Sequence, residues 1–152
     1  MRRWILLALL VLAGAWGGWI MFQRHREALW SETFARASGA FARHDYAGTE
    51  KILVSMLPDT EKRYPHEPRL ANVLDMLGTS YRADRNYEQA EPVLKRALQL
   101  YESVSQTQSV ELGRVELNLA QVYRDKNRLP EAEQYFSRAV AIFDKRSSRH
   151  RL

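Results

Sequence analysis

The sequence predicts an all-α protein: one N-terminal transmembrane helix, then a short α-solenoid of about three helical hairpins. Three observations carry that prediction. No charged residue interrupts the run from Trp4 to Phe22. The chain matches itself at a shift of 42 positions. Within each copy, apolar residues recur three or four apart, the spacing of one helix face.

Residues 1–26 read as a signal-anchor or transmembrane segment. Nineteen helical residues span roughly 28 Å, close to the hydrocarbon thickness of a bilayer. Arg2 and Arg3 precede the run, Gln23-Arg24-His25-Arg26 closes it, and Trp4 and Trp19 lie near its ends, where indoles favour the interface. The competing reading is a cleaved secretory leader, because Ala13-Gly14-Ala15 offers small residues at suitable offsets. Cleavage there would leave Trp16–Phe22 as an apolar new terminus, which favours the uncleaved anchor. A cleaved leader would instead yield a secreted or periplasmic soluble binding protein. Arg2, Arg3 and the terminal amine outweigh Arg24 and Arg26, which Glu27 offsets in part. That balance predicts a cytoplasmic amino terminus and an exported soluble part. Gly14 and Gly18 form a GxxxG pair, a spacing that can let two membrane helices pack closely and so allows a homodimer. The bland alternative is the ordinary small-residue content of such segments.

Residues 27–64 form the first and least regular unit. It is a fainter copy at a shift of 41, in which Tyr46, Glu50, Leu53 and Leu57 align with Tyr87, Glu91, Leu94 and Leu98. Arg36, Ala37 and Ala40 stand where the second unit has Leu77, Gly78 and Tyr81. The segment is therefore either a degenerate hairpin or a stalk that continues the membrane helix. Tyr64-Pro65-His66-Glu67-Pro68 breaks the chain, since neither proline continues a helix.

Residues 65–144 hold two clear hairpins. Leu70, Val73, Leu77, Tyr81, Ala90 and Ala97 return as Leu112, Val115, Leu119, Tyr123, Ala132 and Ala139. Ala83-Asp84-Arg85-Asn86 and Asp125-Lys126-Asn127-Arg128 are the polar turns, and Pro130 suits a helix's first turn. Small residues at Gly78, Ala90 and Ala97 let two helices approach closely. Each such unit leaves an apolar face that only a stacked neighbour can bury. Residues 145–152 are a basic tail. With no further helix in the sequence, Tyr135, Ile142 and Phe143 are predicted to be partly exposed.

Composition excludes several functions. The net charge of +5 belongs to the anchor flanks and the tail, because Ala28 to Asp144 carries 15 Lys+Arg against 17 Asp+Glu. Without a basic face interleaved with aromatics, nucleic-acid binding is not expected. Zero Cys rules out a disulfide framework and a lipid-modified cysteine anchor. His25, His44, His66 and His150 are scattered, and neither a phosphate-binding glycine loop nor a nucleophile elbow occurs. Glu88/Glu91 and Glu131/Glu133 read as solvated helix starts. The expectation is a non-enzyme with no cofactor and no metal.

The segments Leu77-Gly78-Thr79-Ser80-Tyr81 and Asn86-Tyr87-Glu88-Gln89-Ala90-Glu91-Pro92-Val93-Leu94-Lys95-Arg96-Ala97-Leu98 resemble the tetratricopeptide repeat (TPR). So does Leu117-Asn118-Leu119-Ala120-Gln121-Val122-Tyr123-Arg124-Asp125. The resemblance is greatest to the 42-residue variety of kinesin light chains, in which a proline at the place of Pro92 is common. It implies a protein-interaction scaffold, tether or chaperone-like holder, or an accessory subunit that stabilises a neighbouring enzyme. It also implies a concave groove on the first helix of each hairpin. Matched to the motif, the groove positions are Asn72, Asp75, Met76, Thr79, Arg82, Arg114, Asn118, Gln121 and Arg124. Asn can bond an extended peptide's backbone and Arg forks suit carboxylates, so the expected partner is a protein or peptide, acidic in character. The alternative is that these side chains merely coat a solvated face. The architecture resembles single-pass bacterial inner-membrane proteins with an exported repeat domain.

Overall fold

The three-or-four spacing of apolar residues is realised as helices throughout the computed structural model. It describes the backbone of residues 2–103 and 109–149, and the side chains of 14–103, 109–145 and 147. The order is α1 (Arg2–Ala42), α2 (Tyr46–Arg63), α3 (Pro68–Ala83), α4 (Tyr87–Ser103), α5 (Val110–Asp125) and α6 (Leu129–Arg149). They pair as three hairpins, α1/α2, α3/α4 and α5/α6, and each hairpin stacks on the next. The core runs as one cluster through all three, from Ala37 and Leu53 through Leu77 and Leu94 to Leu119 and Ile142.

The break at Tyr64–Glu67 falls where two prolines put it, with α2 ending at Arg63 and Pro68 opening α3. The two predicted turns, and a third between α1 and α2, follow one backbone plan. His44, Arg85 and Asn127 take φ of 60°, 59° and 57°, the left-handed region. The following amide, of Asp45, Asn86 or Arg128, then donates to the carbonyl of Ala40, Tyr81 or Tyr123 five residues back. That closure satisfies carbonyls that the helix end leaves unpaired. A side chain with a Cβ is strained in this conformation by about 1–2 kcal/mol, and asparagine less so. Arg85→Gly is therefore expected to raise stability by about 0.5–1 kcal/mol, after allowance for glycine's freer unfolded chain. Asn127→Gly should change it little. Urea midpoints of the two variants measure the difference.

The first unit combines a hairpin with a long N-terminal extension of α1. Its inner part is a true hairpin: Ala37 and Ala40 are buried, and Trp30 Nε1 donates to Thr60 Oγ1 of α2 at 2.9 Å. Its outer part is a stalk, because α1 continues without a break to Arg2 and, at 41 residues, is about 60 Å long. A cluster at Glu27 fixes the direction in which the stalk leaves. The Glu27 carboxylate accepts from Tyr64 Oη, from Arg63 at 3.1 Å and from Arg69 at 2.5 Å, and Arg69 lies over both Trp30 and Tyr64. The hydrogen bonds from Tyr64 and Arg69 hold the Glu27 carboxyl below the usual carboxylate range.

Among the described residues no helix is long and apolar enough to cross a membrane. Residues 4–13 of the predicted span lie outside those whose side chains are described. The part that is described, from Gly14 to Phe22, stands clear of the array, with Trp16 67% and Met21 74% exposed. A Cβ added at Gly14 or Gly18 would meet nothing within 4 Å.

Glu91 departs from the reading of a solvated helix start. It sits at the joint between the second and third hairpins and accepts from Lys95 at 2.8 Å, Tyr123 Oη at 2.9 Å and Lys126 at 2.9 Å. Burial opposes its ionisation, but these three hydrogen bonds overcome that cost and hold its carboxyl at about 2.

Candidate functional site

Residues four apart on a helix share a face, and α3 places Asn72, Asp75, Met76 and Thr79 along one such face. Arg114 and Asn118 of α5 flank it on one side, and Phe34 and Phe41 of α1 on the other. Together these eight residues line a cleft of about 400 Å³. Phe34, Phe41 and Met76 make the apolar part of its lining.

The floor is a polar network. Asp75 is only 3% exposed; its carboxylate accepts from Arg114 Nε at 2.8 Å and from Asn118 Nδ2 at 2.7 Å. Asn72 Oδ1 accepts from Tyr101 Oη at 2.7 Å, and Thr79 Oγ1 donates to the Asp75 carbonyl at 2.8 Å. Burial pushes the Asp75 carboxyl up, and the charge of Arg114 with the Asn118 bond only partly offsets this. Burial first, then the Asp75 charge, pushes the Tyr101 phenol up. The network joins α3, α4 and α5 and leaves the cleft close to electrically neutral.

Six of the nine sequence-predicted groove positions meet here. Three do not. Arg82 donates to Asp125 at 3.2 Å, and Arg124 also turns onto Asp125, at 3.1 Å. Gln121 is half-buried on α5 beyond the cleft. Arg82, Arg114 and Arg124, expected as carboxylate-seeking groove cations, each face a carboxylate of their own chain, and Arg114 and Arg124 remain half-exposed beside it. Sequence reasoning missed Phe34 and Phe41 because the first unit matched its neighbours weakly. The shift of 41 nevertheless sets them in register with Asp75 and Arg82, and that signal could have found them.

A family model described as tetratricopeptide repeat matches residues 65–145, more than half of the chain. The chain belongs to the tetratricopeptide repeat family. The match covers the second and third hairpins, and the cleft is therefore built from two TPR hairpins plus α1. The fold is similar to the crystal structure of BtubC (BKLC) from P. vanneervenii, with a TM-score of 0.65 at 18% identity. That likeness covers 78% of this chain and 47% of the other, so the chain spans about half the length of that relative. No curated protein matches. A TPR array is a protein-interaction module, and no group of His, Asp or Glu among the described residues could hold a metal ion.

A second concavity lies on the outer face of α6. It is an open depression of about 730 Å³, lined by Leu129, Phe136 and Val140 among others. Of the three residues of the last helix expected to be partly exposed, Ile142 alone departs from that expectation. Ile142 is buried, and Tyr135 and Phe143 are half-buried, because they turn inward onto α5, where Tyr135 stacks on Tyr123 at 5.4 Å and Phe143 approaches Gly113. Leu129 and Val140 are the bare residues, at 58% and 56%.

Proposed function

We propose that the protein is a membrane-anchored adaptor whose cleft between α1, α3 and α5 takes an extended segment of a partner protein. The carrying observation is the convergence of three helices on one opening with an apolar wall and a polar floor. Phe34, Phe41 and Met76 would take an apolar side chain. Asn72 and Asn118 amides and the half-exposed Arg114 guanidinium would meet main-chain carbonyls or a single acidic group. With Asp75 beneath Arg114, the preference is for an apolar segment with at most one acid, in place of a strongly acidic one. The role is that of tether or scaffold, and no catalytic arrangement is invoked.

Anchoring rests on the uncharged run Trp4–Phe22 and on the exposed Trp16, Trp19, Met21 and Phe22, which the array leaves uncovered. The charge balance around that run favours an array on the exported side, and the resemblance in architecture to single-pass bacterial inner-membrane proteins suggests the inner membrane of a bacterium.

The test is a mild-detergent pull-down from membranes, with wild type beside Thr79→Arg, which fills the cleft without touching the core. Loss of a partner at least tenfold in the variant is expected. Equal recovery by both proteins would place the interface elsewhere. Recovery of the protein only in the soluble fraction at reduced mass would refute the anchor.

A further inference from the structure

The repeat carries a template for what belongs on α6. At a shift of 42, Leu129, Phe136 and Val140 correspond to Tyr87, Leu94 and Leu98 of α4. On α4, Leu94 is fully buried and Leu98 is 6% exposed beneath its neighbours, whereas Val140 on α6 is 56% exposed. The charges follow the same register. Glu91 of α4 receives Lys126 and Tyr123 from the end of α5, and Arg82 of α3 donates to Asp125 there. Their counterparts in the third hairpin are Glu133 and Arg124, both exposed and both lining the concavity on α6. Among the described residues Glu133 has no partner and Arg124 reaches only its own neighbour Asp125.

We infer that the outer face of α6 docks an amphipathic helix of a partner protein with the chemistry of α5. That helix carries an apolar stripe for Leu129, Phe136 and Val140, and near its C-terminal end an acid for Arg124 beside a base for Glu133. A second copy of this chain fits poorly, because the α1 face it would present carries Glu32, Arg36 and Arg43, and Arg36 stands where α3 and α5 have buried leucines.

The probe is a labelled synthetic peptide of residues 109–128, which is α5 with its flanking residues, titrated onto the full-length protein in mild detergent. Saturable binding is expected, weakened about tenfold or more by Val140→Asp and by Glu133→Lys. A peptide carrying Lys126→Glu and Arg128→Glu should recover binding to the Glu133→Lys protein. Circular dichroism confirms that both variants fold, as exposed positions should allow. No binding, or binding that both substitutions leave unchanged, would overturn the inference. So would a concentration-dependent dimer of the wild type that Val140→Asp abolishes, since the face would then belong to a second copy.

Discussion

Gly78→Val is expected to cost about 3 kcal/mol or more and to separate α3 from α4. A Cβ at Gly78 would lie 2.5 Å from Leu94 Cγ and 2.8 Å from Leu94 Cδ2. Leu94 cannot swing aside, because it is fully buried. The backbone must move instead, and valine adds two further methyl groups to the collision. Gly78→Ala should also destabilise, by about 1 kcal/mol, although alanine gains about 1 kcal/mol in helix propensity. Gly39→Ala is the control. Its Cβ would meet only the end of the Arg43 side chain, at 3.4 Å, so the same exchange should stabilise by roughly the propensity gain. Denaturant midpoints of the three variants separate steric from propensity effects. A Gly78→Val protein as stable as wild type would mean that the helices stand farther apart than described.

Glu91→Gln is expected to weaken the array by about 2 kcal/mol at neutral pH and to remove most of its acid sensitivity. Glu91 is depressed from 4.5 to about 2 in the folded protein. Its contribution is thus complete above about 4.5 and is lost as pH falls towards 2. The figure is reduced from the full linkage value because Lys95 is 44% exposed and solvent screens it. Asp75 and Glu116 act with the opposite sign, since burial raises both carboxyls and favours their protonated forms. Acidification from neutral pH should first slightly favour the fold through those two groups and then undo it through Glu91. Stability against pH for wild type, Glu91→Gln and Asp75→Asn checks each sign. An unchanged acid limb in Glu91→Gln would refute the joint.

The hairpins were legible because their determinants are local. Spacing of three and four, prolines at 65 and 68, and small residues at Gly78, Ala90 and Ala97 each act within a few turns of helix. The groove was legible to the extent that position within a repeat sets which way a side chain points, as with Asn72, Asp75, Thr79 and Asn118. Pairing across hairpins was not. Glu91 looked like a solvated carboxylate, yet its partners Tyr123 and Lys126 lie 32 and 35 residues away. Arg82 looked like a free groove cation, and its acceptor Asp125 lies 43 residues on. Glu116 shows the same limit. It replaces Leu74 in register, is 1% exposed, and is reached by Arg138 at 2.6 Å. No periodicity foretells that a carboxylate will be buried at a leucine position. What decides such pairs is the stacking of one hairpin on the next, which brings together residues a whole repeat apart.

The most direct measurement is site-specific photo-crosslinking in native membranes, with a photoreactive side chain placed at Thr79 inside the cleft or at Lys51 on the exposed face of α2. A cleft-binding adaptor predicts one strong adduct from Thr79 and none from Lys51. Adducts of equal strength from both positions, or none from Thr79 while the partner still co-purifies, would contradict it.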